Sequence, residues 1–153
     1  MTDTVEQYKS RDASRRVCVR ALCLLDDSIL VVKRLSHSSR YIIMPGGGIE
    51  GNETPLDAAV RETREECSVQ VKAIKVVKVF PEADGESEQH LVLCNYISGT
   101  PHLNPIGEEY QRNEAGKNTY EPMWMLLQEW LKSPLVREEW KSAVLEVRCF
   151  QTT

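Results

Sequence analysis

Three glutamates at helical spacing are the residues of this chain whose types and positions could do chemistry. Glu62, Glu65 and Glu66 follow soon after a run of three glycines, Gly46 to Gly48. On a helical wheel the three carboxylates share an arc of about 100° beside an apolar stripe. Like charges at this spacing repel each other by a few tenths of a kcal/mol per exposed pair, so we expect a compensating partner.

The carboxylate cluster has two interpretations. Oxygen ligands gathered in this way suit a hard divalent cation, Mg²⁺ or Mn²⁺, and the cation would offset the repulsion. The preceding glycines would let backbone carbonyls and amides approach a ligand closely. The other interpretation is a solvated acidic face on a structural protein, because glutamates at this spacing are common on exposed helices. The spacing alone leaves both interpretations open.

The helix that carries the glutamates has clear sequence signals at its start. Thr54 suits the N-cap position, Pro55 suits the first helical position, and Asp57 completes a capping-box pattern. Arg61 and Arg64 fall on the far side of the wheel from the carboxylates. The apolar stripe, which we expect to face a sheet, consists of Leu56, Ala59, Val60, Thr63 and Cys67.

The other apolar segments read as strands and terminal helices. A hairpin is predicted in RVCVRALCLLDDSILVVKRL, with its turn at Asp26-Asp27-Ser28, and YIIMPGGG reads as a short strand stopped by Pro45 and the glycines. Two further strands, VQVKAIKVVKVF and EQHLVLCNYIS, are joined by the acidic loop PEADGES. A last strand, YEPMWMLL, precedes one or two helices in LLQEWL and PLVREEWKSAVLEV. This order predicts an α/β protein with a mixed sheet and helices on both faces.

Length, charge and cysteine usage limit the class of protein. The 153 residues suit one domain over residues 15–153, preceded by a flexible arm over residues 1–14. The net charge of −4 argues against a long nucleic acid as partner. The N-terminal residues lack a signal-peptide core, and no apolar run is long enough to span a membrane. Because the five cysteines include no C-x-x-C pair, we expect reduced thiols in a cytoplasmic protein.

The stretch from Gly47 to Val69 resembles the Nudix box, G-x5-E-x7-R-E-U-x-E-E-x-G-U, in which U is a bulky aliphatic residue. Two positions depart from the pattern, because Thr63 replaces an aliphatic residue and Ser68 replaces the last glycine. The Thr63 methyl can pack in the stripe, whereas a left-handed Ser68 would cost about 1 kcal/mol. The glycine and charged positions match at the right spacing, and they are Gly47, Glu53, Arg61, Glu62, Glu65 and Glu66.

The resemblance implies a Nudix fold, an α/β/α sandwich with a mixed β-sheet, and a hydrolase that cleaves a diphosphate linked to another group. Carried over by position, the metal ligands would be Glu62, Glu65, Glu66 and the carbonyl of Gly46. Glu62 is the first choice for the general base that takes a proton from water. A base from a distant loop is the alternative, and the candidates are Glu82, Glu86, Glu88, Glu108 and Glu109.

Supporting and substrate-binding roles are also implied. Glu53 and Arg61 would form an ion pair that fixes the glycine loop onto the helix. Arg34, Arg40 and Gly47 are candidates for contacting substrate phosphates, since arginine can bind phosphate bidentately, although solvation at a strand edge or in a loop is the favoured explanation for both arginines. We expect His37 to be exposed, and we expect core packing rather than base stacking from Phe80, Tyr96, Trp124 and Trp140.

Several substrates are compatible with this pattern. The candidates are a MutT-like nucleoside triphosphate, ADP-ribose or another nucleotide sugar, and a dinucleoside polyphosphate, with a triphosphate slightly favoured. The alternative function is a non-catalytic Nudix domain that binds a nucleotide as a sensor or interaction module. The expected cofactor is Mg²⁺ or Mn²⁺, and the expected partner is a small-molecule nucleotide bound by a monomer or homodimer.

Overall fold

A computed structural model of the protein describes residues 16–35, 39–103 and 119–151. The predicted arm over residues 1–14 lies outside the described residues, as do His37, Glu108 and Glu109. In chain order the elements are β1 (Arg16–Leu25), β2 (Ser28–Leu35), β3 (Arg40–Ile43), β4 (Gly46–Gly48), α1 (Pro55–Cys67), β5 (Gln70–Pro81), β6 (Ser87–Ser98), β7 (Thr119–Leu126), α2 (Leu127–Lys132) and α3 (Glu138–Gln151).

Strand β1 connects the two halves of a mixed sheet. The strand order is β3-β2-β1-β6-β5, with β4 also paired to β1 and β7 also paired to β2. β1 runs parallel to β6 over the pairs from Arg16–Ser87 to Cys23–Cys94, and its other edge pairs with β4. Only the last residues of β1, Leu24 and Leu25, pair with β2, so the predicted hairpin is closed only beside its turn.

The short strand β3 ends at Ile43, before Pro45, as predicted, and the glycine run then forms a strand of its own, which was not predicted. Gly46, Gly47 and Gly48 pair antiparallel with residues 20, 19 and 18 of β1. A Cβ at Gly46 would lie 1.8 Å from the carbonyl oxygen of Val19. Glycine is therefore required at this position, because a larger residue could not approach the neighbouring backbone so closely.

Helix α1 has the ends that the sequence predicts. The Thr54 hydroxyl accepts a hydrogen bond from the amide of Asp57, and the Asp57 carboxylate accepts one from the amide of Thr54, each at 3.1 Å. Ser68 ends the helix in the left-handed conformation, with φ of 58°. The fully buried Thr63 hydroxyl donates to the carbonyl of Ala59 at 2.7 Å, so the polar group is satisfied within the helix.

The sheet packs against helices on both faces, as predicted. The cluster under α1 is built by Ala58, Ala59 and Cys67 of the helix, with Leu56 and Val60 partly buried against it. Ala58 was missing from the predicted stripe. On the opposite face α2 and α3 contribute residues that include Leu127, Trp130, Trp140, Ala143 and Val144.

Other features agree with the sequence predictions in part. Phe80 packs edge-on against Trp140, with ring centroids 4.6 Å apart, and Tyr96 packs in the same way against Trp124. No described helix is both long enough and apolar enough to cross a bilayer. Within the described residues the free thiols are Cys18, Cys23, Cys67 and Cys94, and all but Cys18 are buried.

Candidate functional site

The carboxylates of Glu62 and Glu66 lie where α1 meets the glycine strand β4. Glu66 Oε2 accepts a hydrogen bond from the amide of Gly46 at 3.3 Å. A Cβ at Gly47 would lie 2.6 Å from Glu62 Oε1, so this carboxylate rests directly on the glycine backbone. The Glu62 and Glu66 side chains are close enough to share a hydrogen bond with each other. The fold thus brings together two of the three predicted carboxylate ligands.

The environment of Glu62 disfavours a negative charge on its carboxylate. Burial raises the pKa of Glu62 above its ordinary value, and the neighbouring charge of Glu65 raises it further. Hydrogen bonding and charge from Arg61 oppose these effects without cancelling them. A cation bound at Glu62 would compensate the burial and offset the repulsion from Glu65.

Arg61 holds the other side of the cluster together. Its Nε donates to Glu53 Oε2 at 2.7 Å and its Nη2 donates to Glu53 Oε1 at 3.0 Å, which makes a bidentate pair. Nη2 also donates to the carbonyl oxygen of Gly48 at 3.1 Å, and Nη1 donates to Glu62 at 3.0 Å and to Glu65 at 3.2 Å. The structure therefore contains the ion pair expected between Glu53 and Arg61.

The placement of Arg61 on the far side of the helix from the carboxylates was wrong. Its long side chain, only 15% exposed, folds across the helix surface toward Glu53, Glu62 and Glu65. A wheel records only where a side chain starts, and the apolar stem of an arginine can lie along the helix while its head reaches a distant partner. Arg64 is exposed, as expected.

The three carboxylates do not converge as a complete set. Among the described residues, no group of three His, Cys, Asp or Glu side chains is arranged to hold a metal ion. Glu65 is 50% exposed, and its carboxylate accepts from Arg61 Nη1, the nitrogen that also donates to Glu62. The amide of Gly46 contacts the Glu66 carboxylate, and the role of the Gly46 carbonyl as a metal ligand stays a prediction.

The donor chemistry nevertheless fits a hard divalent cation. Glu62 and Glu66 offer carboxylate oxygens in contact with each other, and burial disfavours the charge of Glu62. Glu65 lies one helical turn from Arg61, and breaking their single exposed hydrogen bond would free its carboxylate. Arg61 would keep its bidentate pair with Glu53 after that change.

A small cavity adjoins Glu66, and Arg61 is not among its lining residues. Its volume is about 90 Å³, and its lining residues are Arg20, Val32, Arg34, Ile43, Gly46, Glu66 and Tyr120. Arg34 Nη2 donates to the Tyr120 hydroxyl at 2.6 Å, and the guanidinium lies 4.4 Å from the centroid of the Tyr120 ring. Arg34 is therefore next to the carboxylates, whereas Arg40 is exposed and is not among the lining residues.

Arg20 is the lining residue that sequence reasoning missed. It lies in β1 between Val19 and Ala21, which are fully buried. An arginine within an otherwise apolar strand was the available signal, because arginine is rarely buried without a specific partner. The signal was not usable without knowing that β4 pairs with β1 at Arg20.

Two of the alternative general bases have other partners. Glu88 is buried in β6, not in a loop as predicted, and its Oε2 lies 2.9 Å from Nε2 of the buried His90. Glu82 lies 3.7 Å from a guanidinium nitrogen of Arg137, which packs over Trp140 on the face opposite α1. Glu86 is exposed in the turn before β6.

Comparisons with known proteins were made for the sequence and for the fold. A family model described as the NUDIX domain matches residues 14–144. Human diphosphoinositol polyphosphate phosphohydrolase 3-alpha is 41% identical over 66 residues, which is 40% of this chain and 40% of the relative. An ADP-ribose pyrophosphatase from Methanocaldococcus jannaschii is 28% identical over 102 residues, 66% of this chain and 57% of the relative. The chain therefore spans less than two thirds of the length of either relative.

A solved structure supports the fold. The MutT protein from Methanosarcina mazei Go1 superposes with a TM-score of 0.67, at 15% identity, over 94% of this chain and 100% of that chain. At this identity the similarity establishes the architecture alone. The predicted α/β/α sandwich with a mixed sheet is confirmed.

Proposed function

Since this chain belongs to the Nudix family, we propose that it is a divalent-metal-dependent hydrolase that cleaves the diphosphate bond of a nucleoside diphosphate linked to another group. The observation that carries the proposal is the meeting of Glu62 and Glu66 on the glycine strand, with Arg61 anchored to Glu53 beside them. A structural acidic helix would need neither the close packing of Glu62 on Gly47 nor the contact between two acids.

Glu62 and Glu66, joined by Glu65 and the backbone at Gly46, are the residues that would hold Mg²⁺ or Mn²⁺. The cation would supply charge neutralisation on the phosphate oxygens and a bound water of lowered pKa. Relatives named for ADP-ribose and for diphosphoinositol polyphosphates share one substrate feature, a phosphoanhydride, and this supports the same bond as the target here.

The side chains of this protein divide the remaining work. Glu62 is the proposed general base, because its burial favours the protonated form and makes it a better proton acceptor than an ordinary carboxylate. Arg61 is a positioning residue, since its bonds to Glu53 and to the Gly48 carbonyl fix the loop before α1 against the helix. Arg34 would contact a phosphate of the substrate from the adjoining cavity.

The test is hydrolysis of a substrate panel in Mg²⁺ and then in EDTA. The panel contains a nucleoside triphosphate, ADP-ribose and a dinucleoside polyphosphate, and the products are separated by ion-exchange chromatography. We expect at least one substrate to be cleaved in Mg²⁺ and none in EDTA. Absence of turnover with every substrate in both Mg²⁺ and Mn²⁺ would refute the proposed activity.

A carboxylate variant ties the activity to the site. Glu66→Gln removes a charge at the contact with Glu62 and should lower kcat at least about 100-fold, because the metal stabilises charge by several kcal/mol. Glu129→Gln, at an exposed position on α2, is the matched control and should keep wild-type activity. Circular dichroism and melting in EDTA check that both variants are folded.

A non-catalytic nucleotide-binding domain is the second candidate. One observation favours it, namely that no three acidic, histidine or cysteine side chains of the described residues are arranged to hold a metal ion. A binding module would show calorimetric binding of the nucleotides in Mg²⁺ without any product, whereas the hydrolase would show binding followed by turnover.

A further inference from the structure

Arg20 and Arg34 place two guanidinium groups around one small cavity. Both line the space of about 90 Å³ beside Glu66, and the positive charge of Arg34 lowers the pKa of Arg20. Arg20 is the residue of β1 that pairs with Gly46, at one end of the pairing between β1 and β4. Its Nη1 donates to the carbonyl oxygen of Met44 at 3.1 Å. The cavity therefore lies where the Glu66 carboxylate contacts β4.

The buried part of Arg20 is incompletely satisfied. Its Nε is buried and has no hydrogen-bond partner among the described residues. Burial lowers the pKa of Arg20, and the positive charge of Arg34 lowers it further, while the carboxylate of Glu66 opposes both effects. A buried N–H without a partner costs stability, so its retention suggests a bond that is made only when a ligand is bound.

A metal ion would change the charge balance of this cavity. Glu66 is the carboxylate among the residues that line the cavity, and it faces two arginines there. Under the proposed function its charge is engaged by the metal, which leaves the two guanidinium groups without compensation. An anion in the cavity would restore the balance.

The donor set specifies the kind of anion. Arginine has only donors, and the Tyr120 hydroxyl accepts a bond from one of them, Arg34 Nη2. With the Glu66 carboxylate engaged by the metal, the guanidinium donors match a group that has only acceptor oxygens, which describes a phosphate. The volume of the cavity suits a compact group of this kind.

We propose that Arg20, together with Arg34, forms a subsite for an additional phosphate of the substrate, one that is not part of the cleaved bond. This inference rests on the proposed function and extends it to the substrate class. A nucleoside triphosphate or another polyphosphate carries such a group. ADP-ribose does not, because both of its phosphates belong to the diphosphate and each is followed by an uncharged sugar. Arg20 is thus a specificity-determining residue that favours polyphosphate substrates.

The first experiment measures anion binding without turnover. Inorganic tripolyphosphate is titrated in EDTA into the Glu66→Gln variant. This variant lacks the carboxylate charge in the cavity, and without metal it does not hydrolyse the ligand during the titration. Adding Arg20→Gln should weaken binding about tenfold or more, because a charge-assisted hydrogen bond is lost. Adding Arg16→Gln, at an exposed position on the same strand, should leave the affinity unchanged. Adding Arg20→Lys, which keeps the charge but not the forked donors, should give an intermediate affinity.

Two results of this titration would overturn the proposal. One is that Glu66→Gln fails to bind tripolyphosphate at all. The other is that Arg20→Gln and Arg16→Gln bind it equally. Melting temperatures are recorded for each variant, and Arg20→Lys keeps the comparison informative if Arg20→Gln does not fold.

The second experiment measures specificity with Mg²⁺ present. We expect kcat/KM of the wild-type protein to be higher for a nucleoside triphosphate than for ADP-ribose. Arg20→Gln should lower the triphosphate value about tenfold while changing the ADP-ribose value less than about threefold. A wild-type preference for ADP-ribose, or an equal loss for both substrates, would refute the subsite. If no substrate is cleaved, the proposed function fails, and the tripolyphosphate titration still decides whether the subsite exists.

Discussion

Two arginines beside the carboxylates, Arg61 and Arg20, differ in how completely their donors are hydrogen-bonded. Arg61 donates to Glu53, Glu62 and Glu65 and to the carbonyl of Gly48, so its guanidinium is engaged on every side. Arg20 makes one backbone hydrogen bond and keeps a buried Nε without a partner in the described part of the chain. The difference suggests that Arg61 maintains the structure of the site, whereas Arg20 is held in readiness for a ligand.

The strand β4 contacts both arginines, and substitution of its Gly46 should cause the largest loss of stability. Gly46→Ala would place a Cβ 1.8 Å from the Val19 carbonyl oxygen, and backbone atoms cannot move aside cheaply. We expect the free energy of unfolding to fall by more than about 3 kcal/mol, measured by urea denaturation. Gly48→Ala is the matched control, because a Cβ there meets nothing within 4 Å. Equal stability of the two variants would contradict the close approach of β4 to β1.

Removing Arg61 tests the structural half of the comparison. Arg61→Ala leaves the partly buried carboxylates of Glu53 and Glu62 without their cation and should cost about 2 kcal/mol of unfolding free energy. Arg64→Ala, at an exposed position on the same helix, should change stability by less than about 0.5 kcal/mol. If Arg61→Ala lowered the unfolding free energy no more than Arg64→Ala, the hydrogen bonds of Arg61 would not stabilise the fold.

The pH dependence of stability tests the ion pair between Arg61 and Glu53. The bidentate bonds from Arg61 hold the pKa of Glu53 below its ordinary value. A lowered native pKa means that the contribution of Glu53 is complete above the unfolded pKa, near 4.5, and is lost as the pH falls below it. We expect wild-type stability to decline between pH 4.5 and pH 2 more steeply than that of Glu53→Gln, followed by denaturant titration at each pH. Parallel curves would show that this pair does not contribute to acid sensitivity.

Arg20 should give the smallest effect on stability. Arg20→Gln removes an incompletely bonded cation, so we expect the unfolding free energy in the absence of ligand to change by less than about 1 kcal/mol. A loss as large as that of Arg61→Ala, in the same denaturant titration, would show that Arg20 has a structural role and would remove the contrast between the two residues.

Local features of the site were predictable from the sequence. Three such features are the start of α1 at Thr54, its left-handed end at Ser68 and the ion pair of Glu53 with Arg61. They depend on residues within one short segment, where spacing determines which groups can contact each other. The general order of strands and helices was predictable for the same reason, since periodicity and turn residues act locally.

Features that depend on distant pairing were not predictable. The pairing of Gly46 with Arg20 joins two segments far apart in the chain, and this pairing alone brings Arg20 to the cavity. The reach of Arg61 across α1 and its bonds to Glu62 and Glu65 depend on side-chain conformations that a wheel does not contain. Arg34 was predicted, but its stacking on Tyr120 follows from the register of β2 with β7.

The parallel pairing of β1 with β6 has a consequence for biosynthesis. Arg16 meets Ser87, so the first described strand cannot gain this partner until the ribosome has made nearly all of the intervening chain. Until then an apolar segment that includes Val19, Ala21 and Leu22 has no parallel neighbour. Non-local pairing of this kind slows folding and leaves strand edges open to other nascent chains. Yield of native protein during translation should therefore depend on how quickly β5 and β6 emerge.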